Sequence, residues 1–135
     1  MPHCAYSCII LDVARDPRWG RVEETYGEDP YLNVILGTAC IEGFQGRDKQ
    51  RLDSLHVGTT IKHFAAHGQP EGGRNIAPAP FGERYLREVH LRPFQYAITK
   101  AQPIGVMASY NEIEWSPLPR IRMVVKQSLA PRMGI

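Results

Sequence analysis

Three short runs of β-branched and other apolar residues predict β-strands that are buried on both faces. They are Cys8–Val13, Val57–Phe64 and Gly105–Ser109. Between them lie two stretches in which apolar residues recur at helical spacing. Strands that alternate with amphipathic helices are typical of parallel βαβ units. The sequence therefore predicts an α/β fold with a parallel sheet.

The first helical stretch is predicted to begin after Asp29. Its carboxylate can accept from the free amides of a first turn, and Pro30 suits the first helical position. Gly43 marks the predicted end of this helix. Five residues at helical spacing predict one apolar face: Leu32, Ile35, Leu36, Ala39 and Cys40. The polar residues from Gly46 to His56 predict a surface connection.

The second helical stretch runs from Glu83 to Thr99. Pro93 is predicted to kink or divide it, because proline has no amide to donate within a helix. Four residues share its predicted apolar face: Leu86, Val89, Phe94 and Ala97. A long loop, Ala65–Pro80, precedes this helix. Unstructured loops of that length are usually functional or disordered.

Charge and composition narrow the classes of function. The 135 residues include 16 basic and 14 acidic side chains, a balance that argues against nucleic acid or an anionic membrane as a partner. No window approaches the roughly 18–20 apolar residues of a membrane span. The first residues lack the basic start and long apolar run of a signal peptide. The three cysteines, Cys4, Cys8 and Cys40, do not have the spacing of a zinc site. No metal or cofactor is predicted.

Polar residues follow each predicted strand at the point where it ends. Arg21 lies in the loop after the first strand, Lys62 and His63 end the second, and Tyr110 and Asn111 follow the third. In a parallel barrel the carboxyl ends of all strands point to one face, where active sites are built. These residues are therefore expected to converge on one pocket.

Such a pocket suits a sugar, which offers hydroxyl groups to charged donors and C–H faces to rings such as Trp19 and Tyr110. Phosphate is the rival ligand, since arginine and lysine also bind it. However, the glycine-containing segment 68–73 includes Pro and Glu and lacks the GK[ST] ending of a phosphate-binding loop.

Each of these residues also has a purely structural interpretation. A surface ion pair competes with substrate binding for three arginines: Arg15, Arg18 and Arg21. Trp19 is more typical of packing than of a sugar platform, and Tyr110 is evenly balanced between the two. His67 is more typical of a solvated loop histidine than of a base. Successive strand side chains face opposite sides, so one of Lys62 and His63 is expected to point inward.

Three segments together resemble glycoside hydrolase family 3, in that family's order. They are Leu11–Pro30 (LDVARDPRWGRVEETYGEDP), Ile61–Asn75 (IKHFAAHGQPEGGRN) and Val106–Ile113 (VMASYNEI). The similarity is greatest to the β-glucosidase and β-xylosidase branch. It implies a partial TIM-type (β/α)8 barrel, with about three βα units and parallel strands. It also implies retaining hydrolysis of β-glucosides or β-xylosides.

The resemblance also implies roles for individual residues. Arg21 matches the family's sugar-binding arginine after Trp-Gly. Lys62 and His63 match the pair that holds hydroxyl groups in the first subsite, and Tyr110 matches an aromatic residue close to the nucleophile. Four acidic residues resemble the loop that orders the arginine: Glu23, Glu24, Glu28 and Asp29.

The catalytic carboxylates are expected to be absent. Retaining hydrolysis needs two carboxyl groups about 5–5.5 Å apart. The family's attacking aspartate lies on the next strand, in a segment like Ser-Asp-Trp, and the acid/base comes from a later segment. From Glu114 onward nothing resembles the family. The chain is therefore interpreted as a partial barrel domain (1–113) and an unmatched tail (114–135), as a frameshift or truncated gene would produce, and is expected to be inactive alone.

Two other functions stay open at this point. A non-catalytic carbohydrate-binding remnant would keep Arg21, Lys62 and His63 without turning over substrate. A metal hydrolase using His63, His67 and Glu71 is disfavoured, because the residues after His67 indicate a loop and the H-x-x-x-H spacing suits a helix. The expected partners are a β-linked glycoside and the remainder of the barrel. The parent enzyme is expected to be secreted or periplasmic.

Overall fold

A computed structural model describes residues 6–46 and 52–113, and three strands in these ranges form one parallel sheet. The strands are β1 (Tyr6–Ile10), β2 (Gly58–Phe64) and β3 (Gly105–Ala108), adjacent in chain order. Ile61 at the centre of β2 pairs with Ile9 on one side and Val106 on the other. The prediction of an α/β fold with parallel strands is confirmed.

Helical segments connect the strands. Helix α1 (Pro30–Gln45) links β1 to β2. The connection from β2 to β3 consists of α2 (Glu83–Tyr85), a π-helical segment (Leu86–His90) and α3 (Leu91–Lys100). Three 3₁₀ turns lie in the loops after β1 and β2: Pro17–Trp19, Val22–Glu24 and Glu71–Gly73. These long loops at the carboxyl ends of two strands carry most of the candidate site.

The second helical stretch is divided, as Pro93 predicts. Proline cannot donate to the carbonyl of Val89, so the regular hydrogen-bond ladder is interrupted there, and the π-helical segment lies directly before it. The predicted apolar face is largely correct. Leu86, Phe94 and Ala97 are buried in the core, and Phe64 of β2 meets Phe94 edge to face at 5.2 Å.

The first strand begins and ends earlier than predicted. Pairing with β2 runs to Ile10, and the amide of Leu11 still donates to the carbonyl of Lys62 at 2.8 Å. One residue further, the carboxylate of Asp12 accepts from the amide of His63 at 2.9 Å. A side chain thus replaces the backbone carbonyl as acceptor, and strand pairing stops. The other two strands lie within one residue of their predicted bounds.

Helix α1 begins as predicted and ends two residues late. The Asp29 carboxylate caps it, accepting from the amide of Tyr31 at 2.7 Å and of Leu32 at 3.4 Å. The helix continues past Gly43 to Gln45, and Gly46 follows with a φ of 78°. Gly46 therefore takes the terminating role that the sequence analysis gave to Gly43.

The predicted apolar face of α1 is not the face that packs on the sheet. Leu32, Ile35 and Leu36 are exposed to 44%, 42% and 43%. The buried side carries other residues: Asn33, Val34, Gly37, Ile41 and Gln45. A Cβ at Gly37 would overlap Cδ2 of Leu11, so this side of the helix can approach Leu11 only with glycine at that position. Close approach between helix and sheet, rather than apolar periodicity, decides which side is buried.

A buried glutamine joins the elements at the opposite end of the sheet. Gln45 Oε1 accepts from the amide and hydroxyl of Thr59 at 3.0 and 2.6 Å, and from the amide of Ile104 at 3.2 Å. Its Nε2 donates to the carbonyls of Ala101 and Gln102. These contacts tie α1, β2 and the end of α3 together.

Part of the predicted surface connection, and all of the predicted tail 114–135, lie outside the described residues. Among the helices of the described ranges, none combines the length and apolar character needed to cross a membrane.

Candidate functional site

The loops at the carboxyl ends of β1 and β2 bring distant polar residues together. Arg21 Nη1 lies 3.4 Å from Nε2 of His63. His63 is 3% exposed, whereas Lys62 before it is half-buried, so His63 is the inward-pointing member of the pair. The expected convergence of Arg21 with His63 is confirmed. Tyr110, two residues after β3, is 71% exposed at the same edge.

Asp12 is the buried residue that organises this edge, and sequence reasoning missed it. Its Oδ2 accepts from the amide and Nδ1 of His63 at 2.9 and 2.8 Å, and its Oδ1 accepts from the amide of His67 at 3.2 Å. The side chain is completely buried. The available signal was a lone carboxylate inside an otherwise apolar run, since carboxylates are rarely buried without partners.

Arg21 is held from its other side by Glu24. Arg21 Nε and Nη2 donate to the two carboxylate oxygens of Glu24, both at 2.7 Å. The guanidinium lies 5.7 Å from the ring of Trp19. Arg21 therefore has both features that the sequence analysis set against each other: a carboxylate partner and a place in the candidate site.

Two neighbouring cations, Arg21 and Lys62, set the electrostatics of this cluster of site residues. Hydrogen bonds from Arg21 lower the pKa of Glu24, and the nearby charge of Lys62 lowers it further. Lys62 is thus close enough to act on the same carboxylate. Glu24 stays ionised and orients the guanidinium, which leaves Nη1 directed toward His63.

Arg18 forms the surface pair that the structural interpretation describes. Its Nε and Nη2 donate to the carboxylate of Asp16 at 3.0 and 2.7 Å. The Arg18 side chain is 69% exposed, far more than the 24% of Arg21. Two arginines of one short loop therefore differ in environment, and Arg18 offers a matched comparison for Arg21.

Trp19 and His67 pack beneath the cluster. Trp19 is 2% exposed, and its Nε1 donates to Oδ1 of Asn75 at 3.1 Å. Its ring meets the ring of His67 edge to face at 5.3 Å, and the His67 ring lies 4.6 Å from that of His63. The packing interpretation of Trp19 is confirmed. The solvated interpretation of His67 is wrong, since this residue is 2% exposed.

His67 is buried as a neutral ring. Burial lowers the pKa of His67, and the charge of Asp12 partly opposes this. The charge of Arg21 lowers it further. Its Nδ1 is buried without a hydrogen-bond partner among the described residues. A neutral imidazole at this position avoids adding a third positive charge beside Arg21 and Lys62.

Close backbone contacts fix the loop that carries His67. A Cβ on Gly68 would lie 2.6 Å from the carbonyl oxygen of Val13, so only glycine permits this approach. The next residue, Gln69, accepts at Oε1 from the hydroxyl of Tyr85 and from Nε2 of His90, both at 3.1 Å. The loop after β2 is thus attached to the end of β1 and to the helices before β3.

Asn111 has a structural role at the end of β3. It is 3% exposed, its Oδ1 accepts from the hydroxyl of Ser109, and its Nδ2 lies 3.4 Å from the carbonyl of Ala65. The sequence analysis expected it to converge on the pocket with the other polar residues. Its amide instead joins β3 to the start of the loop after β2.

The described residues contain no group of three or more His, Cys, Asp or Glu side chains placed to hold a metal ion. His63 and His67 are neighbours, but Glu71 is exposed and does not complete a set with them. The metal-hydrolase hypothesis therefore gains no support from the geometry.

The motif resemblance is decided by comparison with known families. A model of the glycosyl hydrolase family 3 N terminal domain matches residues 5–135. The chain belongs to glycosyl hydrolase family 3. The matched stretch continues past Ile113, across the boundary predicted from sequence. That division of the chain stays a prediction.

Relatives within family 3 share both sequence and fold with this chain. A β-xylosidase from Formosa agariphila is 39% identical over 132 residues, which are 98% of this chain and 18% of the relative. A β-glucosidase from Erythrobacter marinus is 46% identical with a TM-score of 0.77, over 81% of this chain and 14% of that chain. A β-glucosidase from Listeria innocua, crystallised with isofagomine, is 35% identical with a TM-score of 0.83, over 93% of this chain and 18% of that chain.

The chain spans 14% to 18% of the length of these proteins. Three parallel strands with their connecting helices correspond to part of a (β/α)8 barrel, so the predicted partial barrel is confirmed.

Proposed function

We propose that this family 3 chain supplies part of the sugar-binding site of a retaining β-glycosidase that acts on β-glucosides or β-xylosides. The observation that carries the proposal is the contact between Arg21 and His63 at the carboxyl edge of the sheet, with Lys62 beside it. This edge is where parallel barrels build their active sites.

The chemistry of these side chains suits sugar hydroxyl groups. Arg21 and Lys62 are donors only, and charged donors form shorter and stronger hydrogen bonds than neutral ones. His63 adds a ring nitrogen at the same place. The solved structures support a sugar ligand by similarity: crystals of the Listeria innocua β-glucosidase contain glucose, and those of its D270A mutant contain laminaribiose.

Tyr110 completes the proposed binding set. Its exposed ring follows β3 at the same edge and offers an aromatic face to a pyranose ring. In the proposal this ring lines the subsite next to the reacting carbon, the position that the family resemblance gives it.

The two catalytic carboxyl groups are proposed to lie outside this chain. No Ser-Asp-Trp segment occurs in the sequence. Among the described carboxylates at the site, Asp12 is enclosed by three N–H donors and Glu24 is paired with Arg21. Neither is free to attack a sugar or protonate a leaving group, and retaining hydrolysis needs a carboxyl group for each task.

The proposal is tested by kinetics of the full-length protein that carries this chain. Arg21→Ala and Lys62→Ala should each lower kcat/KM for an aryl β-glucoside or β-xyloside. Loss of a charged hydrogen bond in the transition state is worth about 2–4 kcal/mol, or on the order of 30- to 1,000-fold. Arg18→Ala is the matched control, because its pair with Asp16 lies at the surface. Equal effects of all three substitutions would return Arg21 to a structural role.

A second candidate is a carbohydrate-binding remnant without catalysis. The missing Ser-Asp-Trp segment favours it for the chain on its own. Equilibrium binding of glucose without turnover by the 135-residue chain, lost on Lys62→Ala, would support this candidate. Absence of both binding and turnover would argue against it.

A further inference from the structure

The buried carboxylate of Asp12 contacts both the backbone and the imidazole ring of His63. It can therefore determine where the ring carries its proton. Its three described contacts are nitrogen atoms: the backbone amides of His63 and His67, which donate to it, and Nδ1 of the His63 ring at 2.8 Å. A carboxylate facing these donors can only accept. The proton on the His63 ring is therefore at Nδ1, where it is donated to Asp12.

The other ring nitrogen of His63 has a complementary environment. Nη1 of Arg21 lies 3.4 Å away, and a guanidinium only donates. A proton on Nε2 would point at this donor, whereas a lone pair on Nε2 can accept from it. Both neighbours of the imidazole therefore favour the same neutral tautomer, with Nδ1 protonated and Nε2 bare.

We propose that Asp12 is a positioning residue that fixes His63 in the Nδ1–H tautomer and so makes Nε2 a hydrogen-bond acceptor in the sugar site. This inference rests on the proposed function for its consequence, but the tautomer itself is a property of the folded chain. In proteins generally, a carboxylate that accepts from one nitrogen of a histidine ring fixes the tautomer, and so sets the role of the other nitrogen.

The consequence concerns which groups the site accepts. Arg21 and Lys62 offer donors only, so without a bare Nε2 nothing in this trio could accept a proton from a ligand. Nε2 has a single lone pair, so a sugar hydroxyl that donates to it replaces the long 3.4 Å contact with Arg21. The same hydroxyl can then accept from the released cation. A fluorine in the same place can accept but cannot donate. The site should therefore prefer the hydroxyl group, and Asp12 should be the origin of that preference.

Two substitutions separate positioning from folding. Asp12→Asn keeps the size of the side chain but places an amide N–H₂ among three donors, so the hydrogen-bond pattern cannot be kept. Thr59→Val is the matched control. Thr59 is also fully buried and lies on β2 with His63, but its hydroxyl donates to Gln45 at the opposite end of the sheet. This control tests whether loss of any buried hydrogen bond in the same strand is enough to change the His63 tautomer.

The first experiment needs no substrate. Nitrogen NMR of ring-labelled histidine in the full-length protein distinguishes protonated from bare ring nitrogens. We expect the His63 signals of the unsubstituted protein and of Thr59→Val to show a protonated Nδ1 and a bare Nε2. Asp12→Asn should shift the population toward the Nε2–H form. A protonated Nε2 in the unsubstituted protein above neutral pH would overturn the inference.

The second experiment uses glucose and its 3-, 4- and 6-deoxyfluoro derivatives as competitive ligands of the full-length protein. We expect one derivative to bind about 10- to 100-fold more weakly than glucose, because it cannot donate to Nε2. This ratio should fall at least several-fold in Asp12→Asn and persist in Thr59→Val. Equal ratios in all three proteins would overturn the inference. Failure of glucose itself to bind would overturn the proposed function, while the NMR result would still decide the tautomer.

Discussion

Arg21 and His63 are 42 residues apart in the sequence, yet Arg21 Nη1 lies 3.4 Å from Nε2 of His63. The contact joins the loop after β1 to the end of β2, because parallel strands bring their carboxyl ends to one edge. Glu24 holds the guanidinium from one side, and Asp12 holds the imidazole from the other. The Arg21 guanidinium and the His63 ring are thus held in contact by two carboxylates, of which Glu24 is 36% exposed and Asp12 is completely buried.

Glu24→Gln should weaken catalysis of the full-length protein without abolishing it. The substitution replaces a charge-assisted pair by a neutral hydrogen bond, which leaves the charge of Arg21 in place but orients it less well. A difference of about 1 kcal/mol corresponds to roughly a 5-fold loss in kcat/KM. Glu88→Gln is the control, since Glu88 pairs with Arg84 on an exposed helix surface. Indistinguishable kinetics for the two variants would contradict an orienting role for Glu24.

Two glycines of α1 should respond oppositely to alanine. A Cβ on Gly37 meets the buried Leu11 side chain, so Gly37→Ala should lower the local free energy of opening of α1 by about 1–3 kcal/mol. A Cβ on Gly43 meets nothing within 4 Å, so Gly43→Ala should raise it by about 0.5–1 kcal/mol. Hydrogen exchange of the α1 amides measures both. The same sign for both variants would show that helix propensity outweighs the contact with Leu11.

His90 should make the segment Leu86–His90 sensitive to acid. Burial lowers the pKa of His90 from 6.5 to about 3, and the charge of Arg15 adds to the shift. The neutral ring, stacked on Phe81, is the form that folds. Because the folded pKa is lowered, the contribution to stability is complete above pH 6.5 and is lost as pH falls toward 3. The loss should reach a few kcal/mol, on the order of one to two per unit of pH.

The test of this linkage is hydrogen exchange of the helices before β3 between about pH 7 and pH 4. His90→Phe keeps an aromatic ring beside Phe81 and removes the titrating group, so the decline with acid should flatten. His56→Gln is the control, because His56 is partly exposed and pairs with Asp53 at the surface. An unchanged decline in His90→Phe would assign the acid sensitivity to other groups.

The 135-residue chain on its own should not hydrolyse an aryl β-glucoside or β-xyloside above background. The proposal places both catalytic carboxyl groups outside the chain, and without a carboxylate nucleophile the covalent path is lost. Purified chain is assayed beside its Lys62→Ala variant. Turnover that disappears in the variant would show that the chain contains a complete active site.

The isolated chain should also aggregate or melt without a cooperative transition. Helix α1 exposes a row of apolar side chains, among them Leu32, Ile35 and Leu36. Within the described residues, β1 and β3 each pair with β2 alone, so one edge of each is open to other chains. Light scattering and calorimetry measure the outcome, and Ile35→Lys should reduce association. A sharp, reversible melt from a monodisperse monomer would show an autonomous domain.

Several features were predictable because they depend on residues close together in the sequence. The cap by Asp29, the interruption at Pro93 and the order of strands and helices follow from local chemistry and periodicity. The expected convergence of Arg21 with His63 needed one more rule, that parallel strands present their carboxyl ends together. The sequence motifs also led to the family, which the family model confirmed.

Only the tertiary structure shows the burial and the partners of residues whose neighbours come from distant parts of the chain. Asp12 lies within the run Cys8–Val13 that was predicted as a strand, and only the fold brings His63 and His67 to its carboxylate. Helix α1 buries the side with Gly37 because Leu11 of the neighbouring chain segment comes too close for any larger residue. Burial of a polar group, or of one helix face over another, depends on which partners arrive across the fold. The periodicity of apolar residues within one segment does not identify those partners, because they lie far away in the sequence.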